Sequence, residues 1–258
     1  MTRQRVRKLI LLISLLAFPI TLYYFSPALI LQGAFEGIIT GSFIVFTIQL
    51  FSALFFGRAF CAWLCPAGGL QEACMMAVDR KAKGGRLNWI KYIIWVLWMG
   101  MIVFFFLQGK KALKIDFLYQ TVSGISVSGP MAYIIYYGVI GLVFVLAICF
   151  GKRAFCHYGC WMAPFMVIGS WLKKKLHIPS LHLAAESHQC IGCQKCNKAC
   201  VMSLDVSGMV EKGKVFHTEC ILCGECIDTC PKKVLRYKVG IMEEGCGKEW
   251  RKHEKPNM

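Results

Sequence analysis

Histidine is missing from every long apolar run of this chain, so the paired imidazoles that a membrane b-type haem requires have no source here. Acidic residues are scarce too: 14 Asp and Glu stand against 30 Lys and Arg, a formal net charge of +16 over 258 residues. No acid-base pair, nucleophile triad or phosphate-binding loop occurs, so the sequence supports no catalysis of those kinds. The positive charge is not that of a nucleic-acid binder. Lys and Arg cluster beside apolar segments without an aromatic-basic recognition motif, and no nucleic-acid partner is expected.

Hydrophobic residues make up 57% of the chain, which together with so much basic charge points to a membrane protein with basic segments on one face. Spans are expected at residues 9–29, 37–56, 89–107 and 131–150, giving a membrane α-helical domain over residues 1–186. The first apolar run is longer than a signal-peptide core and lacks a good cleavage site, so a retained span kinked at Pro19 is expected. Segment 58–91 carries Arg58, Arg80, Lys81, Lys83, Arg86 and Lys91, whereas residues 30–36 carry no Lys or Arg. The positive-inside rule then places both termini in the cytoplasm, with Lys110, Lys111 and Lys114 as the outnumbered outer basic residues.

Fifteen cysteines, an odd number, are spaced as ligands and not as disulfides. Cys190, Cys193, Cys196 and Cys200 read C-x2-C-x2-C-x3-C, and Cys220, Cys223, Cys226 and Cys230 repeat the run with Pro231 behind it. Two-residue gaps let one tight loop set three thiolates around a cube of iron and sulfide, while the fourth crosses to the other cluster. On that rule Cys190, Cys193, Cys196 and Cys230 hold one 4Fe-4S cluster, and Cys220, Cys223, Cys226 and Cys200 hold the second. A zinc ribbon would want two spaced pairs instead. Residues 187–238 resemble a bacterial-type two-cluster ferredoxin, departing at Val201, where the second motif has Pro231. The expected ferredoxin domain covers residues 187–240, with residues 201–218 as turn and strand, residues 178–185 as a link, and a polar tail at 241–258.

An internal repeat accompanies the hairpins. Phe-Gly-Arg-Ala-Phe-Cys ending at Cys61 recurs, with one residue inserted, ending at Cys156, and each Cys is followed by another at Cys65 and Cys160. The pattern suggests four helices as two repeated hairpins. Pro66 places Cys65 at a helix N-terminus, where the dipole and Arg58 are expected to lower its thiol pKa. Cys61, Cys65, Cys156 and Cys160 have three readings: boundary packing, a third cluster or metal ion shared between the halves, or a redox dithiol. His157 adds a potential ligand. Residues 161–172 are expected to lie in the headgroup layer, with Lys173, Lys174 and Lys175 toward anionic lipid.

The four spans, the G-R-A-F-C-A-W-L-C-P stretch, its degenerate copy and the ferredoxin together resemble the membrane polyferredoxins of the NapH type. These are similar to the membrane core of NosR-type proteins and to the copper-handling assembly protein CcoG. The resemblance implies an iron-sulfur electron carrier in a bacterial or archaeal cytoplasmic membrane, exchanging electrons with the quinone pool and a partner redox protein. An alternative function is a metal-reducing assembly or maturation factor working through the Cx3C thiols, and a redox sensor is a third. About 30 Å of bilayer core separates the outer face from the clusters, so quinone and clusters are expected to meet at the inner boundary, near the Cx3C cysteines.

Other residues carry plainer expectations. Cys74 and Cys149 are read as helix packing, Cys246 as a free thiol, and Glu36 and Asp116 as solvated loop charges. Residues 123–126, Ser-Gly-Ile-Ser, have no flavin-binding domain around them. Lys195, Lys198, Lys232, Lys233, Arg236 and Lys238 surround the cluster motifs as solvated surface or as a docking face for an acidic partner.

Overall fold

The structure, a computed structural model, describes residues 2–108 and 114–241. Lys110, Lys111, Cys246 and the tail beyond residue 241 lie outside the described residues. The first helical unit is α1 (Arg3–Leu16), bent by 59° at Ala17 into the continuation Phe18–Phe25, which begins with the short helix α2 (Phe18–Thr21). Pro19 stands just beyond the break, where its ring and missing N–H disfavour an unbroken helix. Helix α3 (Pro27–Glu36) follows, with Pro27 in its first turn and Gly37 in the left-handed region closing it. The stretch without Lys or Arg at 30–36 is therefore helix throughout.

Strand β1 (Ile38–Thr40) precedes helix α4 (Gly41–Phe56), where the Thr40 hydroxyl accepts from the Phe43 N–H. At 16 residues α4 is about 24 Å long, short of a bilayer core. The start of the expected second span is used instead by β1, which pairs in parallel with β2 (Lys114–Asp116). Helices α5 (Ala59–Trp63) and α6 (Pro66–Cys74) lead to α7 (Ile90–Gln108), and α8 (Pro130–Phe150) returns after β2. By length and composition, Leu87–Gln108 and Pro130–Phe150 suffice to cross a membrane, and the bent N-terminal pair does so if taken as one span. Ile93, Val96, Leu97, Ile134, Leu142 and Val145 stay exposed on α7 and α8, an apolar surface suited to lipid.

Helices α4 and α8 both stop at the repeat's glycine. Gly57 (φ 56°) and Gly151 (φ 95°) take a backbone that L-residues rarely adopt, and a Cβ at Gly151 would stand 2.3 Å from the Arg80 carbonyl oxygen. The second copy continues with α9 (Ala154–Tyr158) and α10 (Ala163–Lys175). Contrary to the headgroup-layer expectation, α10 presses on α4: a Cβ at Gly169 would meet the Ala53 Cβ at 2.6 Å. Its small residues permit that approach and draw the lysines inward. Lys173 is buried and donates to the Leu181 carbonyl at 3.0 Å, Lys174 covers the Phe216 ring, and Lys175 covers Trp171.

The C-terminal part is a two-stranded antiparallel sheet of β3 (Ser180–Ala185) and β4 (Leu235–Gly240), with Ser180 opposite Gly240. Between the strands lie α11 (Lys195–Ala199), α12 (Val206–Glu211) and α13 (Glu225–Thr229). Residues 178–185 are thus mostly a paired strand and not a free link. In 201–218 the regular element is a helix, capped by the Asp205 carboxylate accepting from the Gly208 N–H at 3.1 Å.

Four helix ends meet this unit. Arg3 at the start of α1 pairs with Asp228 at 2.7 Å, and Gln4 donates to the Cys223 carbonyl at 3.1 Å. Arg58 after α4 and Lys91 at the start of α7 both pair with Glu219, and Lys152 after α8 donates to the Lys198 carbonyl. The ferredoxin-like unit and both copies of the repeat therefore share one end of the helical layer.

Candidate iron-sulfur centres

Two cavities in the C-terminal unit sort the ligands by the crossover rule. One is lined by Cys190, Cys193, Cys196 and Cys230; the other by Cys200, Cys220, Cys223 and Cys226. Each set of three comes from a loop and the first turn of a short helix, and the fourth arrives from behind the other motif's helix. Val201 is buried in an apolar cluster with Met202, Ile221 and Cys223, so the position without proline serves packing. Burial pushes the Cys220 thiol up to about 11 and the Cys223 thiol to about 12, so thiolates there call for compensating positive charge. Cys193 is exposed, as are Lys195, Lys198, Lys232, Lys233, Arg236 and Lys238, while Cys223 and Cys226 are buried. The first centre faces the surface and the second faces the helices.

The repeat's cysteines converge below that second centre. Cys61, Cys65, Cys156 and Cys160 are all buried, and Cys61 and Cys156 share an apolar cluster with Ala62, Met166, Val201, Ile221 and Cys223. Cys65 directly precedes α6 with Pro66 in the first turn, as its extended backbone requires. Its thiol nevertheless lies well above the ordinary value, against expectation: burial dominates, and Cys61, Cys156 and Cys160 add to it. Burial likewise raises Cys61, with Arg58 and Arg153 pulling against it. Sequence reading had assigned the Arg58 effect to Cys65.

The surrounding polar groups are ordered. Gln71 donates to the Cys156 sulfur at 3.3 Å and accepts from the Phe155 N–H at 3.0 Å, bridging the two copies. Cys61 Sγ lies 3.3 Å from Met166 Sδ. His157 is buried close to the Met202 backbone and is held down to about 4, chiefly by burial. Among the described residues no three His, Cys, Asp or Glu side chains gather closely enough to hold one metal ion. A cubane asks for something wider, since each of its irons takes its own thiolate. The donor chemistry, four buried thiols with two buried guanidinium groups beside them, fits such a group.

Cys160 packs with Met162 and Ala163 against Trp98 and Val143, residues from the middle of α7 and α8. The site therefore packs directly against the two long apolar helices. Beyond it opens an apolar cavity of about 410 Å³, lined by Cys65, Cys160, Phe25, Phe60, Val139 and Trp161 among others, and extending to Gln120. Trp161 Nε1 donates to the Phe25 carbonyl at 3.1 Å and fixes one wall. Cys74 is buried as expected, whereas Cys149 is exposed on α8. Residues 123–126 are structural: the Ser126 hydroxyl donates to the Ile20 carbonyl at 2.6 Å and accepts from the Tyr23 N–H at 3.0 Å.

Sequence reading missed Glu72 and Glu219. Both are largely buried and each joins two cations, and the only hint was an acidic residue set inside otherwise apolar or cysteine-rich sequence.

Comparison with known proteins agrees with this arrangement. A family described as "4Fe-4S binding domain" matches twice, at residues 38–83 and 131–179, one match for each copy of the repeat. A "4Fe-4S dicluster domain" matches residues 189–235. The chain is 26% identical over 238 residues to an uncharacterized protein of Methanocaldococcus jannaschii, covering 83% of this chain and 82% of that one. It is 25% identical to the ferredoxin-type protein NapH of Haemophilus influenzae, over 77% of this chain and 68% of NapH. It is 27% identical to the regulatory protein NosR of Stutzerimonas stutzeri, over 76% of this chain but only 27% of NosR. No solved structure matches. The resemblance carried by the motifs is thereby borne out: the chain is a 4Fe-4S protein with apolar helices suited to a membrane, a distant relative of NapH and NosR.

Proposed function

We propose that this protein carries electrons from quinol to a partner redox protein through three 4Fe-4S clusters, two in the ferredoxin-like unit and one at Cys61, Cys65, Cys156 and Cys160. The observation that carries the reading is the cavity of about 410 Å³ whose wall includes both Cys65 and Cys160. An apolar ring with a long tail suits such a pocket, and Gln120, Gln32, Ser26 and Tyr23 supply polar groups along it. Oxidation of quinol to quinone would release two protons to solvent and two electrons, which clusters held by these thiolates would accept one at a time.

The route is a continuous packed body. Cys61 and Cys156 share one apolar cluster with Cys223 and Cys200, and Cys200 shares the next with Cys190, Cys196 and Cys230. It ends at exposed Cys193 among the basic residues, a face suited to an acidic partner. Four crossings, with α4 as a short one, bring every repeat end to the ferredoxin side, and the basic segments put that side in the cytoplasm. Purified protein in nanodiscs tests the reading: added quinol should bleach the cluster absorbance with no partner present. Oxidised clusters that persist beside excess quinol would sink it and leave a relay between proteins.

A further inference from the structure

Two arginines hold equivalent places in the repeat, each immediately before Ala-Phe-Cys: Arg58 and Arg153. Both are fully buried. The second copy has one residue inserted ahead of its arginine, Lys152, and Arg153 absorbs it by adopting φ 52°, a left-handed backbone uncommon for arginine. Gly68 leaves room for it, since a Cβ there would stand 2.5 Å from Arg153 Nη1. That guanidinium donates to the Cys61 carbonyl at 2.7 Å and lies 4.0 Å from the Cys156 sulfur, so the arginine of one copy reaches the cysteine of the other.

Each arginine belongs to a buried trio of two cations around one carboxylate. Arg58 and Lys91 share Glu219, and Arg153 and Arg7 share Glu72, with Arg7 to Glu72 at 2.7 Å and Lys91 to Glu219 at 2.5 Å. One positive charge is left over in the first. In the second, Arg7 also pairs with the half-buried Glu225 at 3.1 Å, which balances the charge, while the exposed Lys8 reaches Glu225 only from the solvent side. Buried excess charge is costly unless something of opposite sign lies beside it. In addition, Arg58 Nε, Arg58 Nη2 and Arg153 Nε have no oxygen or nitrogen acceptor at bonding geometry among the described residues, and Arg58 lies beside the Cys61 thiol. A cubane held by four thiolates carries a net charge of about −2 when oxidised and one more negative charge when reduced, and its sulfurs accept hydrogen bonds. The leftover positive charge beside Arg58 and the inward N–H groups of both arginines match that demand.

Resting on the third cluster proposed above, we infer that Arg58 and Arg153 are paired positioning residues that neutralise it and hold its reduction potential above that of an uncompensated site. An added electron is stabilised by positive charge in a dry setting, where Coulomb interactions are strong. The two trios thereby make the site nearest the cavity an effective electron acceptor from quinol, and they tie its charge state to the ferredoxin through Glu219.

The test is a redox titration in nanodiscs followed by electron paramagnetic resonance. The signal to follow is the one lost in Cys61→Ser. Arg58→Gln and Arg153→Gln should each make that centre at least tenfold harder to reduce, equal to 59 mV for one electron. Arg58→Lys, which keeps the charge, should stay closer to the unaltered protein. Should a glutamine variant fail to load iron, Lys91→Met carries the same charge test, because its ammonium bonds to Glu219 and touches the site only through charge. It must move the midpoint in the same direction. Midpoints that stay in place in variants holding about twelve irons overturn the arginines' role. A count near eight in the unaltered protein, with no signal lost in Cys61→Ser, overturns instead the third cluster on which the inference rests.

Discussion

In the ferredoxin-like unit each trio of cysteines lies in one loop and the turn of helix behind it, and the outer centre reaches the surface at Cys193. In the helical layer the four cysteines come from two distant copies of one motif, are all buried, and meet only through α5, α6, α9 and the turn before α10. The first arrangement is a local device, almost indifferent to the rest of the chain. The second depends on every neighbouring helix being in place, and it comes with buried counter-charge, Arg58 and Arg153, that the outer centre lacks. An exposed relay can take its compensation from solvent and surface lysines, whereas four buried cysteines have to be given theirs by the protein.

The contrast is broken most severely by deleting a crossing ligand. Cys230→Ser should empty the outer centre and leave the inner one, whereas Cys200→Ser should do the reverse, each removing about four irons per chain. Iron and sulfide counts with electron paramagnetic resonance read the outcome. Because Cys200 and Cys223 pack in the same cluster as Cys61 and Cys156, Cys200→Ser should also loosen the seam with the helices, and Cys230→Ser should not. If both variants lose the same signal, the crossover assignment is wrong.

Next in size is the seam itself. Glu219 is held down to about 2: burial pushes it up, but Arg58 and then Lys91 outweigh that. Glu219→Ala would strand two fully buried cations, a change of about 3–5 kcal/mol. Hydrogen exchange should show it as faster opening of the segment around His217 and Cys220, with β3 and β4 still protected. Equal protection in both proteins would mean that other contacts carry the docking.

These differences also explain what could be read without coordinates. The eight ferredoxin cysteines were legible because their spacing is itself the geometry of the loop. The repeat was legible as a motif, but its purpose was not. Arg58 and Glu219 lie far apart in sequence, so nothing nearby announces their pairing. The bend after Leu16 was foreseen from Pro19, and α7 and α8 from apolar length. Strand β1 was not, since Ile38–Thr40 reads equally well as the start of a helix until β2 is seen beside it. The helix α12 was taken for strand because Val206 and Val210 favour either, and the Asp205 cap settles it.

A milder test separates the cavity from the cysteines. Val139 is half-buried on the cavity wall of α8, away from every ligand. Val139→Trp should fill part of the space, weakening quinol binding about tenfold, near 1.4 kcal/mol, while leaving the iron content unchanged. The readout is the quinol concentration that gives half-maximal reduction. An unchanged value would place the quinol elsewhere.

The smallest effect belongs to the surface end of the route. Lys232 and Lys233 are exposed beside Pro231, next to Cys230, and neither makes an ion pair among the described residues, unlike Arg236, which pairs with Glu186 at 3.0 Å. Charges of this kind set encounter rates more than affinity. Lys232→Glu combined with Lys233→Glu should therefore slow association with an acidic redox partner roughly threefold at low salt, an effect that fades as the Debye length shrinks to about 8 Å at physiological ionic strength. Stopped-flow mixing at two salt concentrations reads it. The buried trios should give the opposite result, a shift in midpoint that salt does not alter, because no counter-ion reaches Arg58 or Arg153. Salt-insensitive association in the surface variant would remove the docking face while leaving the buried charges untouched.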